Sequence, residues 1–525
     1  MPATDDVHPS GPDGPVHPLP RSGASLWVRD RSVVPRHAPL QGDASTDVVV
    51  VGAGIAGLTA ADVLVRAGVG VIVLESRRLG SGATGFTTAK ASRLQGARHR
   101  AIARRHGPEA VWAYAEANRE GAEHLRARLE EAGVAVEARD AVSYASGRAG
   151  LPVLEAELEA TRAAGVPVER AMAPPDLGGP VAGALVLADQ FQFDPTAHLD
   201  ALADAVVEAG GAVHEQTRVV SIDRDGRGEE AVRFVVRSDR GDVRARHVLV
   251  CTGMPIVDRG LHFARLEPRR SYLVALRVEG GPPDGLPMAI SVDAPTRSLR
   301  TAPDPAGGPD LLLVGGEGHV VGREHDTGAR YEALVAWAEA HFPVTEVAWR
   351  WSTQDYESVD ELPYVGGGGL LPDGLLVATG FAKWGMTNGT AAGLALVDDV
   401  LGRPARSWRP PFDAGRGDVR RSARRLLELN TKVAYRLVAD RVASLRPAGA
   451  PDEGDATVTA LGHTGRACVD GGAHEVSAVC PHLGGVLAWN HAERSWDCPL
   501  HGSRFGCEGP VLQGPAVTDL RRRRG

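Results

Sequence analysis

Two short runs near the C-terminus each pair a thiol with an imidazole: Cys480-Pro-His482 and Cys498-Pro-Leu-His501. The chain has 5 cysteines in 525 residues, too few and too unevenly placed for a disulfide scaffold. A structural zinc knuckle usually takes two cysteines from one loop and two histidines from the other. Here each loop supplies one of each. That distribution suits a two-iron cluster in which one iron takes both thiolates and the other both imidazoles. Gly484, Gly485 and Gly502 let backbone N–H groups approach bridging sulfides. A zinc site is the alternative use of the same four side chains. Cys251, Cys468 and Cys507 read as packed thiols.

A second constellation lies near the other end. Residues 47–51 are a short apolar run that predicts a buried parallel strand. Gly52, Gly54 and Gly57 follow in G-x-G-x-x-G spacing, then apolar residues at helical period end at Gly68. Residues 69–74 predict a second strand, closed by Glu75. Gly52 permits the tight turn, Gly54 lets backbone approach a pyrophosphate, and Gly57 lets helix and strand pack closely. Glu75 can accept hydrogen bonds from a ribose diol. The complete strand, glycines, helix, strand and acid predict dinucleotide binding.

The loop at 80–90, GSGATGFTTAK, offers backbone and hydroxyl donors, Thr87 and Thr88 among them, to an extended cofactor. Residues 375–402 read as a strand, a glycine turn and a small-residue helix starting near Thr387. Such a helix N-terminus could face a flavin ring and stabilise its anionic reduced form. An NAD-only enzyme has no need of it. No second dinucleotide fingerprint occurs: LLLVGGEGHVVG, 311–322, has the wrong glycine spacing and no helix after it.

Between about residues 25 and 405 the chain resembles the FAD-dependent oxidoreductases of the D-amino-acid oxidase and glycine oxidase superfamily. The likeness rests on VVVGAGIAGL with Glu75, on 193–219 and 248–256, and on ELPYVG with ATGFAKWGMT. It implies a Rossmann-like α/β FAD domain of the glutathione-reductase type, interleaved with a mixed-sheet α+β substrate domain. FAD segments are expected at about 46–95, 185–255 and 355–405, and the substrate domain at 96–184 and 256–354. Val219 is then expected to touch adenine through its backbone. Thr252 and Gly253 would form a turn under the FAD, with Cys251 where the family has alanine. Gly380, Gly385, Met386 and Thr387 fall in the presumed flavin-contacting segment.

The Cys/His stretch closely resembles the Rieske family, and 447–525 is expected to be an all-β Rieske [2Fe–2S] domain. Some Rieske domains carry a further cysteine in each loop; here those positions are Gly485 and Leu500, so that staple is absent. Ser503 can bond a cluster sulfide, but Phe505 stands where high-potential members have tyrosine. Fewer donors to the sulfides imply a potential in the lower part of the roughly −150 to +300 mV Rieske range. The combination resembles a narrower group of FAD oxidoreductases with a C-terminal Rieske domain. Residues 1–44 read as a surface-draped or mobile arm, and 406–446 as a connector with an amphipathic bridging helix.

Composition narrows the rest. A net charge of −8 argues against general nucleic-acid affinity. No run nears the roughly 20 apolar residues of a membrane span, and no secretory signal opens the chain, so the expectation is a cytoplasmic protein. Among 58 basic residues only Lys90, Lys383 and Lys432 are lysines. Lys90 and Lys383, in presumed flavin loops, are therefore candidate catalytic groups, with His319 after a buried strand as a third. Arg270 and Tyr272 are candidates for a substrate carboxylate. The expected function is oxidation of an amine or amino-acid-like substrate, with one-electron transfer between flavin and cluster and an external donor or acceptor protein. An electron-transfer component or a redox sensor is the alternative.

Overall fold

The computed structural model describes residues 23–28, 34–173, 175–225, 233–256, 260–324, 326–416, 419–445, 449–459 and 463–523. The parts of the expected arm at 1–22 and 29–33, and Arg524 of the basic tail, lie outside them.

The strand Ala44–Val51, whose valine run from Val48 to Val51 is buried on both faces, stands inside an eight-stranded sheet. It pairs in parallel with Val71–Leu74 on one side and Asp242–Val250 on the other. Ala212–His214 and Leu375–Thr379 extend the parallel ladder at its two ends. Helices Ile55–Arg66 and Gly385–Leu401 share a hydrophobic core on one face. Their small residues bring the backbones together: a Cβ on Gly393 would lie 2.8 Å from the Ala56 oxygen. The second helix starts two residues earlier than its sequence suggests.

A nine-stranded mixed sheet follows the order Val344–Ser358, Leu266–Val278, Leu311–Val320, Arg297–Ala302, Met288–Ser291, Val136–Ala145, Gly183–Phe193 and Lys90–Ala91, with the ninth strand, Glu169–Arg170, paired to Gly183–Phe193 off this path. Three of these strands differ from the expected segmentation. Lys90–Ala91, Gly183–Phe193 and the end of Val344–Ser358 belong to this sheet, although 46–95, 185–255 and 355–405 are the expected FAD segments. The chain crosses between the sheets inside those segments, and alternation of apolar residues reads the same in either sheet.

After the helix Val419–Ala443 two small antiparallel sheets form a third layer. One joins Ala456–Thr459, Thr464–Val469 and Gly472–Val476. The other joins Ala488–Asn490, Ser495–Asp497, Arg504–Gly506 and Val511–Gln513. Trp496 and Phe505 fill their shared core together with Cys480 and Cys498. Val433 and Leu437 of the helix pack on that core. Asn430 donates to the Ala264 oxygen at 3.1 Å on the other side.

Part of the arm is anchored. Leu26 and Trp27 are buried, and Trp27 Nε1 donates to the Thr87 oxygen at 2.8 Å.

Candidate functional site

Cys480 and Cys498 lie on two adjacent turns, each ending in a glycine at positive φ: Gly484 and Gly502. In each turn the glycine N–H returns to its cysteine carbonyl, at 2.9 and 3.0 Å. The two thiols hydrogen-bond to each other. That bond, aided by the His482 and Leu483 N–H groups and the Ser503 hydroxyl, favours the Cys480 thiolate against the effect of burial. The shared bond and burial raise Cys498, while the Leu500 and His501 N–H groups oppose the rise. Amide donors thus converge on both sulfurs. The His482 and His501 rings stand 5.3 Å apart and perpendicular, at 89°. His501 Nδ1 is buried without a hydrogen-bond partner, as a nitrogen reserved for a metal would be. A Cβ on Gly485 would lie 2.7 Å from Leu500 and 3.1 Å from Cys498 Sγ. Two thiolates, two imidazoles and amide-lined turns fit a Rieske cluster.

A cavity of about 600 Å³ opens between the two large sheets. Gly52, Gly54, Glu75, Thr87, Thr88, Val219, Thr252, Gly253, Gly385 and Met386 all line it. A Cβ on Gly52 would lie 2.7 Å from the Cys251 oxygen. Glu75 closes the first turn by accepting from the Ala53 N–H at 3.0 Å and the Arg77 N–H at 3.0 Å. A glycine-walled helix N-terminus with a carboxylate at the neighbouring strand end fits a dinucleotide. Burial pushes the Cys251 thiol up to about 12, so it is a protonated packing group.

Three residues of the expected set do not line the cavity. Gly57 serves packing: a Cβ there would lie 2.1 Å from the Gly52 oxygen. Gly380 turns the chain at φ +80° before the helix. Thr387 points its hydroxyl the other way, to Asn118 on the helix Pro108–Glu131.

The catalytic candidates divide. Lys90 lines the cavity, and its ammonium donates to the Ala289 oxygen and Ser298 Oγ, both at 2.7 Å. Burial, with Arg300 nearby, pulls its pKa far down. Lys383 lines the cavity with its side chain open to it, at φ +73°. The surrounding protein lowers its pKa, and Glu357 opposes that. His319 stands behind the wall, Nε2 at 2.9 Å from the Tyr272 hydroxyl and Nδ1 at 2.9 Å from the Val320 oxygen.

Arg270 corrects an expectation. It is fully buried and faces the C-terminal domain, with Asp497 at 3.4 Å, Ser352 Oγ at 2.7 Å and Gln354 Oε1 at 3.0 Å. It joins two domains and has no free face for a substrate carboxylate.

The comparisons agree with this geometry. Residues 47–398 match the family of FAD dependent oxidoreductases, and 445–522 match the Rieske [2Fe-2S] domain. The chain belongs to the FAD dependent oxidoreductase family. It is similar to YhfW of Bacillus subtilis (strain 168), by name a Rieske 2Fe-2S iron-sulfur protein, with 31% identity over 93% of this chain and 95% of YhfW. The fold resembles glycine oxidase from Geobacillus kaustophilus, at 22% identity and TM-score 0.58, covering 71% of this chain and 99% of that one. It also resembles L-proline dehydrogenase from P. horikoshii, at 18% identity and TM-score 0.56, covering 72% and 98%.

This oxidoreductase therefore uses FAD and a Rieske [2Fe–2S] cluster. Sequence reasoning missed two residues outside the Rieske domain that touch the cluster turns. Gln354 lines the FAD cavity and donates from Nε2 to the Gly502 oxygen at 2.7 Å, one residue beyond His501. Phe263 meets His501 edge-on at 5.4 Å and His482 at 6.3 Å. Neither has a local signature, since each acts only across a domain boundary. Among the described residues no helix is long and apolar enough to cross a membrane.

Proposed function

We propose that this chain is an FAD-dependent dehydrogenase of an amine or amino acid, with one-electron exchange between its flavin and its fused cluster. When bound, FAD accepts two electrons with a substrate hydride and the cluster exchanges electrons singly. The observation that carries the reading is Gln354, which belongs at once to the cavity wall and to the hydrogen bonding of the cluster turn. A short covalent and hydrogen-bonded path from cavity to His501 is what intramolecular exchange needs.

The chain's own groups take these roles. Cys480, Cys498, His482 and His501 hold the irons. Gly52 and Gly54 admit the pyrophosphate, Glu75 the ribose, and Val219 the adenine. Thr87, Thr88, Thr252, Gly253, Gly385 and Met386 contact the remainder. Lys383 is a cation open to the cavity and attracts a substrate carboxylate. Lys90 fixes the strands beside the ring site through Ala289 and Ser298. His319 orients Tyr272. The amino-acid reading is supported by the names of the structural neighbours, a glycine oxidase and an L-proline dehydrogenase. Cys251, Cys468 and Cys507, neither disulfide-bonded nor assigned to the cluster, suit a reducing cytoplasm, and a separate redox protein completes the electron circuit.

Anaerobic titration with amines and amino acids, followed by visible absorbance and EPR, tests the reading. The expected result is bleaching of the flavin with appearance of a Rieske signal, both weakened in Lys383→Met. If no compound bleaches the flavin while a protein reductant reduces the cluster, the chain is an electron-transfer component instead.

A further inference from the structure

The FAD cavity is not walled by the FAD domain alone. Val511, Leu512, Gln513, Gly514, Ala516 and Val517, from the last Rieske strand and the loop after it, also line it. The loop is fastened to the FAD side at two points. Arg218, beside Val219, donates to the Val511 oxygen at 3.0 Å and pairs with Asp519 at 3.1 Å. The Tyr356 hydroxyl donates to the Gly514 oxygen at 3.3 Å. Tyr356 is also close to the Thr252-Gly253 turn, 3.3 Å from where a Gly253 Cβ would be.

The same loop is fastened to the cluster. The Ala516 N–H donates to Ser503 Oγ at 3.0 Å, and Ser503 is fully buried. The Ser503 main-chain oxygen accepts from the Cys498 N–H at 2.8 Å, and its hydroxyl favours the Cys480 thiolate. Gln354 runs beside it, donating to both Gly502 and the Tyr356 hydroxyl, at 2.7 and 3.0 Å. Ser503 therefore touches a cluster ligand on one side and the cavity wall on the other.

We propose that residues 511–517 form part of the FAD site, and that through Ser503 the occupancy of the cluster site and the affinity for FAD are coupled. A cluster that fixes the Cys480 and Cys498 turns fixes Ser503, and Ser503 holds Ala516 against the cavity. Coupling between two sites is reciprocal, so bound FAD also slows loss of the cluster. This is a binding equilibrium, and its test is separate from any electron transfer.

The test uses the full chain. FAD affinity is measured by flavin fluorescence for the wild type, Ser503→Ala and Ser503→Thr. Iron release to a chelator is followed with and without FAD. Loss of one hydrogen bond predicts FAD binding weaker by about three- to tenfold in Ser503→Ala, with recovery in Ser503→Thr. Wild-type protein stripped of FAD is expected to release iron faster by a similar factor. Equal FAD affinity in wild type and Ser503→Ala, both with Rieske EPR signals, would overturn the proposal. If Ser503→Ala holds no cluster, Tyr356→Phe provides the second arm, since it cuts the Gly514 link and leaves Ser503 and its bond to Ala516 in place. It is expected to shrink the FAD-dependent difference in iron release; an unchanged difference refutes the coupling.

Discussion

The side-chain amide of Gln354 donates to the main-chain oxygen of Gly502 at 2.7 Å, and its own oxygen accepts from Arg270 at 3.0 Å. One glutamine on the long strand Val344–Ser358 thereby joins the FAD cavity to the turn that carries His501. Replacement by leucine keeps the volume and leaves Gly502, the Tyr356 hydroxyl and Arg270 each short of a partner. Stability is expected to drop by about 1–3 kcal/mol. Cluster reduction after substrate addition should slow more than flavin bleaching does. Stopped-flow absorbance with freeze-quench EPR separates the two rates, and equal slowing of both would argue against Gln354 as the link.

Arg270 and Arg504 flank Asp497, the residue before Cys498, at 3.4 and 3.1 Å. Burial alone would raise the Asp497 carboxyl; the two guanidinium groups outweigh it and hold the acid low. Arg270→Ala removes one of the two guanidinium partners and opens a gap between domains. A loss of about 3 kcal/mol is expected, near the lower end for breaking a buried pair because Arg504 remains. Denaturant unfolding and iron content measure it. Arg270→Met should recover part of the loss through packing.

Two buried histidines set an acid limit. Burial, then Arg128 and His124, lower His198 to about 3. Burial, then Arg265 and Arg416, lower His262 to about 4. Both stay neutral in the fold, while the unfolded chain takes up protons below its ordinary value of about 6.5. Their contribution is complete above pH ~6.5 and is lost as pH falls toward the folded values, by up to about 1.4 kcal/mol per pH unit each. Unfolding measured between pH 7 and 5 should show that slope, and His262→Gln should flatten it. A slope unchanged by the substitution would rule out His262 as a source.

Gly485 has no room for a side chain between Leu500 and the Cys498 sulfur, at 2.7 and 3.1 Å. Gly485→Ala should displace the two turns and cost about 1–3 kcal/mol through overpacking. Iron and sulfide content should fall while the flavin spectrum persists in weaker form. A normal cluster content would show that the turns yield without penalty.

What the sequence determined alone is local. The turn at Gly52, the acid at Glu75 and the two Cys/His loops were readable because each is a fixed spacing of residue types within a few turns of chain. The all-β character of the C-terminal domain followed from the same short-range pattern. The tertiary structure decided what lies between the sites. Gln354 meets Gly502 across 148 residues, and Arg218 meets Val511 across 293. Arg270 looked like a substrate ligand, yet packing turned it toward Asp497. Spacing encodes a turn because backbone geometry is local, whereas an interdomain contact depends on how two independently patterned surfaces meet, and no window along the chain contains both.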